Sequence, residues 1–84
     1  MKRIKLSEYN PNLGILIDVQ HPEDYKKNAT LGSINIYADK LLMNPKAYLD
    51  YKKRYFIICN KGHLSGRVVA YLEYLGYNVT QVMY

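Results

Sequence analysis

The chemistry of this sequence centres on Cys59, the one cysteine among 84 residues. Cys59 closes an apolar run and precedes Asn60-Lys61-Gly62-His63-Leu64-Ser65. A thiol where a loop leads into a helix meets backbone N–H groups and the positive end of the helix dipole, and both favour a thiolate. Gly62 lets the loop curl so that its amides point inward, while Lys61 and His63 add positive charge or a proton donor. The pattern predicts a reactive cysteine, and the alternative is a small buried cysteine that only packs at a strand end.

The elements that must position Cys59 are predicted as alternating strands and helices. Two continuous apolar runs, residues 15–19 and 55–59, are typical of strands buried on both faces of a parallel sheet. The clearest helix is 65–75, because its apolar residues recur at three- and four-residue spacing before Gly76. The shorter predicted elements are the start of a helix at 21–27, a strand at 33–36, two short helices within 39–51 and a strand at 78–82. The order predicts an α/β fold, a small parallel sheet of four to five strands flanked by helices on both faces.

Length and composition limit the possible classes of function. A chain of 84 residues with 49% hydrophobic residues suffices for a single domain, residues 1–84, with one core. Its apolar runs are too short to span a bilayer, and no apolar stretch follows the basic residues at positions 2–5, so we expect no membrane association and no secretory signal. A single cysteine forms no internal disulfide and supplies no metal cluster. We therefore expect no metal, no cofactor and a reducing, cytoplasmic location.

The net charge is +5, and basic residues cluster at positions 2–5, 26–27 and 52–54. Such clusters could attract small anions, acidic proteins or RNA, while a solvated surface is the simpler interpretation. Because no aromatic–glycine signature accompanies them, nucleic acid is not an expected partner. Five tyrosines at helical spacing are expected to be buried or half-buried packing residues rather than a stacking surface. They are Tyr48, Tyr51, Tyr71, Tyr74 and Tyr77.

Five segments of the chain, taken in order, resemble the signatures of the rhodanese-like domain family. They are Leu-Ile-Asp-Val at 16–19, Glu-Asp-Tyr at 23–25, Gly-Ser-Ile-Asn-Ile at 32–36, the loop at 59–65 and Ala-Tyr-Leu-Glu-Tyr-Leu-Gly-Tyr at 70–77. Each segment is weak evidence alone, but the five together, in this order and at this spacing, are strong evidence. The resemblance runs from about residue 13 to residue 82. The resemblance implies a five-stranded parallel sheet. It also implies a cysteine that takes a sulfane sulfur from a donor such as thiosulfate, holds it as a persulfide and passes it to a thiophilic acceptor.

The same resemblance assigns roles to individual residues. Cys59 corresponds to the nucleophile and persulfide carrier of a sulfurtransferase. The amides of the active-site loop would surround the transferred sulfur, an arrangement that stabilises negative charge; the loop residues are Asn60, Lys61, Gly62, His63, Leu64 and Ser65. Asp18 is expected to brace neighbouring loops by accepting backbone hydrogen bonds. Arg67 either leans toward a bound anion or is a surface arginine.

The chain departs from the family pattern where an anionic donor would bind. Leu64 stands where many active relatives have a basic residue, and Gln20 replaces the usual arginine after the Asp-Val pair. We therefore expect a persulfide on a small thiol or a partner protein as the donor, in preference to thiosulfate, and a thiol acceptor. The alternative is a catalytically inactive rhodanese-like module that docks a partner. Phosphatase or arsenate reductase chemistry is not expected, because it requires an arginine where Ser65 stands, and Arg67 comes two residues late.

Overall fold

The computed structural model describes all residues, Met1–Tyr84, and alternates strands with helices along the chain. The strands are β1 (Arg3–Lys5), β2 (Ile15–Asp18), β3 (Ile34–Asn35), β4 (Arg54–Ile58) and β5 (Asn78–Met83). The α-helices are α1 (Pro22–Asn28), α2 (Ala38–Met43) and α3 (His63–Tyr74), and short 3₁₀ helices cover Leu6–Glu8 and Pro45–Ala47. The longest helix, α3, has 12 residues, and no helix has the length and apolar character needed to cross a bilayer.

The five strands form one parallel sheet in the order β1-β5-β4-β2-β3. β4 lies at its centre, so that Ile57 is paired with Ile17 of β2 on one side and with Gln81 of β5 on the other. Parallel neighbours require crossover connections, which the helices provide. The predicted α/β fold with a small parallel sheet is confirmed, and the sheet has five strands.

Alternate side chains of the central strands pack on opposite faces of the sheet, as the two-residue period of a strand requires. On one face, Ile17 and Ile57 join a core completed by α2 and α3 through residues such as Leu41 and Leu72. The smaller core on the other face consists of Leu16, Phe56, Ile58 and Val82. Residues from β1 to Leu13, including the first 3₁₀ helix, cover this second face. Because both faces are covered, the central strands read as continuous apolar runs in the sequence.

The structure differs from the sequence prediction at the first strand and at the start of the longest helix. β1 was not predicted, since Arg3 and Lys5 flank its single apolar residue, Ile4; it pairs with β5 as an edge strand, in which charged side chains are common. The helix predicted from Ser65 begins at His63. The last three residues of the predicted active-site loop therefore belong to the first turn of α3.

The tyrosines also differ from the prediction. Tyr77 is buried as expected, but Tyr74 is 85% exposed, so the expectation of packing is wrong there. Tyr51 stacks on Tyr77 with ring centroids 4.1 Å apart and nearly parallel planes. A side-chain hydrogen bond with Tyr51 raises the pKa of Tyr77 to about 12, and burial acts in the same direction.

Candidate functional site

Cys59 directly follows β4, the central strand, and is 4% exposed. In open α/β sheets, ligands bind in the crevice beyond the carboxyl ends of the strands, and Cys59 occupies such a position. The backbone N–H of Ser65, in the first turn of α3, donates a hydrogen bond to Cys59 Sγ over 3.1 Å. The peptide dipoles of α3 also place their positive end here. Both features stabilise negative charge on the sulfur.

The loop between Cys59 and α3 is held by the carbonyl of Gly62. Gly62 adopts a left-handed conformation with φ 80°, which a glycine tolerates at little cost, and it directly precedes the helix. Its carbonyl oxygen accepts hydrogen bonds from the backbone N–H of Gly66 at 3.1 Å and from Ser65 Oγ at 3.2 Å. A Cβ at position 62 would lie 3.1 Å from Met83 Cε. These contacts fix the turn that aims the Ser65 amide at the sulfur.

Gln81 of β5 fastens this loop to the sheet, and sequence analysis did not identify it. Its amide nitrogen donates to the Gly62 carbonyl at 2.9 Å and to Ser65 Oγ at 3.1 Å. Its amide oxygen accepts from Arg3 Nε at 3.0 Å. The side chain is 4% exposed, so these bonds satisfy a buried amide. A glutamine in an alternating strand pattern carries no sequence signal for such a role.

A cleft of about 400 Å³ opens beside Cys59. It is lined by Gln20, His21, Asp24, Tyr37, Cys59, Asn60, Lys61, His63 and Leu64. Its volume suits a small ligand. Lys61 is the only lysine or arginine in the lining, which also includes the carboxylate of Asp24. No group of three or more histidine, cysteine, aspartate or glutamate side chains is arranged to hold a metal ion.

Asp18 anchors the wall of the cleft that faces Cys59. It is fully buried. Its Oδ1 accepts from the Gln20 backbone N–H at 3.0 Å, and its Oδ2 accepts from Gln20 Nε2 at 2.8 Å and from Thr30 Oγ1 at 3.0 Å. Asp18 thus accepts from one backbone donor and two side-chain donors, and its bracing role stays a prediction. Gln20, which replaces the family's arginine, is oriented by this carboxylate and itself lines the cleft.

An aromatic pair completes the same wall. His21 Nδ1 accepts from the Glu23 backbone N–H at 3.2 Å, which caps the start of α1. The His21 ring meets Tyr37 edge-on, with centroids 5.1 Å apart. Tyr37 was not identified from the sequence, because it lies between β3 and α2, far from the cysteine loop along the chain.

A second, smaller cavity of about 150 Å³ also reaches Cys59. It is lined by Cys59, Asn60, Lys61, Gly62, Val82, Met83 and Tyr84. Tyr84, which sequence analysis did not identify, is held by a 2.8 Å hydrogen bond between its hydroxyl and Thr30 Oγ1. Cys59 therefore borders two cavities, which share Asn60 and Lys61 but otherwise have different linings.

Arg67 lines neither cavity that reaches Cys59. It is exposed and borders a third groove with Gly66 and Ala70. Of the two alternatives stated for Arg67, this position agrees with the surface arginine. Because α3 begins at His63, residue 67 falls on the second turn of the helix, away from the amides that face the cysteine.

Comparison with known proteins agrees with this architecture. The family model described as "Rhodanese-like domain" matches residues 3–84. The chain belongs to the rhodanese-like domain family. No curated protein matches it.

Several solved structures are similar to the chain over nearly its whole length. A rhodanese-related protein from Thermoplasma volcanium is 28% identical with a TM-score of 0.88, and the match covers 99% of this chain and 84% of that one. A rhodanese-like domain protein from Staphylococcus aureus is 27% identical with a TM-score of 0.80, covering 99% and 85%. An NAD-dependent persulfide reductase from A. fulgidus shares the fold at 18% identity and a TM-score of 0.76, covering 98% of this chain and 15% of that one.

Proposed function

We propose that the chain is a persulfide sulfur carrier and sulfurtransferase in which Cys59 accepts a sulfane sulfur and passes it to a thiol. The observation that supports this most directly is the 3.1 Å hydrogen bond from the Ser65 N–H to Cys59 Sγ at the mouth of a cleft. The family includes sulfurtransferases, which agrees with the proposal. Because thiols are kept reduced in the cytosol, we propose that the protein works in the cytoplasm.

The proposed reaction consists of two sulfur transfers at Cys59. In the first, the Cys59 thiolate attacks the outer sulfur of a donor persulfide, the donor's S–S bond breaks, and the donor leaves as a thiolate. In the second, an acceptor thiolate attacks the outer sulfur of the Cys59 persulfide, and the Cys59 thiolate leaves. Both steps are exchanges between a thiolate and a persulfide, and they need no external oxidant or reductant. The Ser65 amide stabilises the negative charge that Cys59 carries before and after each transfer.

The lining of the larger cleft favours an uncharged or singly charged donor. Leu64 contributes an apolar surface where a basic side chain would bind a dianion, and Asp24 offsets the charge of Lys61. Thiosulfate carries two negative charges and would bind in this cleft with little electrostatic assistance. We therefore propose the persulfide of a small thiol as the better donor.

Intact mass spectrometry tests the proposed function. The protein is incubated with thiosulfate and, separately, with a low-molecular-weight persulfide. A gain of one sulfur atom, about 32 Da, is expected with the persulfide and to a smaller extent with thiosulfate. The gain should disappear in Cys59→Ser, which keeps the size of the side chain but not its nucleophilicity. Wild-type protein that takes up no sulfur from either donor would contradict the proposal.

A second candidate is a non-catalytic module that docks a partner in the same cleft. The 4% exposure of Cys59 and the apolar Leu64 favour it, because both suit binding better than anion chemistry. This candidate predicts that wild type and Cys59→Ser bind the partner equally well and that no donor loads sulfur onto Cys59. Loading with any donor would exclude it.

A further inference from the structure

A basic groove of about 590 Å³ lies beside the active-site loop. Its lining includes Arg3, Lys61, His63 and Arg67 together with the methionines Met1 and Met83. No carboxylate lines the groove. Glu73 lies outside the lining, and its Oε1 is 3.9 Å from the Met1 amine. The groove therefore combines net positive charge with flexible apolar side chains.

The basic groove adjoins the smaller cavity at Cys59. The two share Lys61, Gly62 and Met83 in their linings. The larger cleft shares Lys61 and His63 with the groove, but its residues His21 and Tyr37 belong to neither the groove nor the smaller cavity. A molecule that lies in the groove is thus next to a cavity at Cys59 that is distinct from the larger cleft.

We propose that the basic groove binds an acidic segment of the protein that accepts the sulfur, and that the acceptor's thiol reaches Cys59 through the smaller cavity. The inference rests on the proposed function. Arg3 and Arg67 suit carboxylates, since a guanidinium presents a fork of donors to them. Methionine side chains adapt to varied apolar partners. An RNA strand is a poorer fit, because single-stranded recognition relies on aromatic stacking and no phenylalanine, tyrosine or tryptophan lines the groove.

The transfer to this acceptor is balanced in atoms and charge. The acceptor cysteine, as a thiolate, attacks the outer sulfur of the Cys59 persulfide. The bond between that sulfur and Cys59 Sγ breaks, and its electron pair stays on Cys59. The products are the acceptor persulfide and the Cys59 thiolate, to which the Ser65 N–H donates.

The test compares two synthetic peptides of equal length, each with one cysteine. One is rich in aspartate and glutamate, and the other has asparagine and glutamine at those positions. Sulfur transfer from persulfide-loaded protein is followed by intact mass. The acidic peptide should react about tenfold faster at low ionic strength, the lower end of typical electrostatic steering. The preference should shrink as the salt concentration rises from about 0.01 M to about 0.15 M, which shortens the screening length from about 30 Å to about 8 Å.

A matched pair of variants tests whether the preference for the acidic peptide depends on the basic groove. Arg3→Gln/Arg67→Gln removes two positive charges from the groove, and Lys52→Gln/Lys53→Gln removes two exposed charges that line no cavity at Cys59. Each rate is divided by the same variant's rate with 2-mercaptoethanol, which corrects for any change at the sulfur. The acidic-peptide preference should vanish in the first variant and persist in the second. Equal losses in both variants, or no preference in wild type, would overturn the inference.

Binding measured without sulfur transfer separates this inference from the proposed function. A fluorescein-labelled acidic peptide should bind Cys59→Ser protein, detected by anisotropy, and binding should weaken in the Arg3→Gln/Arg67→Gln background. If Cys59 never loads sulfur, the proposed function fails, whereas absence of peptide binding overturns the groove inference alone. Binding of an oligouridine RNA in place of the acidic peptide, with the same dependence on Arg3 and Arg67, would also overturn it.

Discussion

Replacing Asp18 by asparagine should destabilise the protein strongly while leaving its shape almost unchanged. The buried Asp18 carboxylate accepts three hydrogen bonds, from the Gln20 backbone N–H, Gln20 Nε2 and Thr30 Oγ1, at 3.0, 2.8 and 3.0 Å. An asparagine offers one acceptor oxygen, so its NH₂ group must face at least one of these donors. A hydrogen bond to a charged group contributes about 1.5–3 kcal/mol, and a buried donor left without a partner costs about 1–3 kcal/mol.

We therefore expect Asp18→Asn to lower the free energy of unfolding by about 2–4 kcal/mol, since these two effects overlap. For a domain of this size, a loss of that order lowers Tm by about 8–32 °C. Urea unfolding followed by tyrosine fluorescence is suitable, because the chain has ten tyrosines and no tryptophan. Asp39→Asn, the same chemical change at an exposed position, serves as the control. If Asp18→Asn stays within about 0.5 kcal/mol of wild type, as surface substitutions do, the bracing role is refuted.

Three further predictions concern the loop, the donor and pH. Gln81→Leu should cost about 2 kcal/mol of stability through lost buried hydrogen bonds and slow persulfide formation on Cys59; an unchanged loading rate in mass spectrometry would refute its positioning role. Leu64→Arg should raise the rate of loading from thiosulfate about tenfold, equivalent to about 1.4 kcal/mol, and Leu64→Gln, which adds no charge, should not. The pKa of Tyr77 is raised in the folded protein, so the protonated Tyr77 stabilises the folded state relative to the unfolded chain. This contribution to the free energy of unfolding is complete below pH 10.0 and is lost as the pH rises to about 12. Absorbance titration should show a late-ionising tyrosine whose pKa shifts toward 10.0 in Tyr51→Phe; simultaneous ionisation of all tyrosines would contradict this prediction.

The sequence alone was sufficient to predict the main strands and the longest helix. The apolar run at 55–59 predicts a strand buried on both faces, and β4 is the centre of the sheet. The periodic apolar residues of α3 predict its buried stripe, although not the earlier start at His63. β1 has one apolar residue between two charged ones and becomes a strand only because β5 offers its edge. No pattern within residues 3–5 could have predicted that pairing.

For the candidate site, the sequence by itself determined the position of Cys59 and the character of its loop. A strand end, a glycine and a helix start are neighbours along the chain, so local sequence is enough to place them together. Only the tertiary structure decided which distant side chains meet the loop. Gln81, 19 residues from Gly62, is brought to it by strand pairing, while Arg67, only eight residues from Cys59, is carried away from the sulfur by the turn of α3. Local sequence sets backbone conformation, but the packing of the sheet and helices sets which side chains converge on the cysteine.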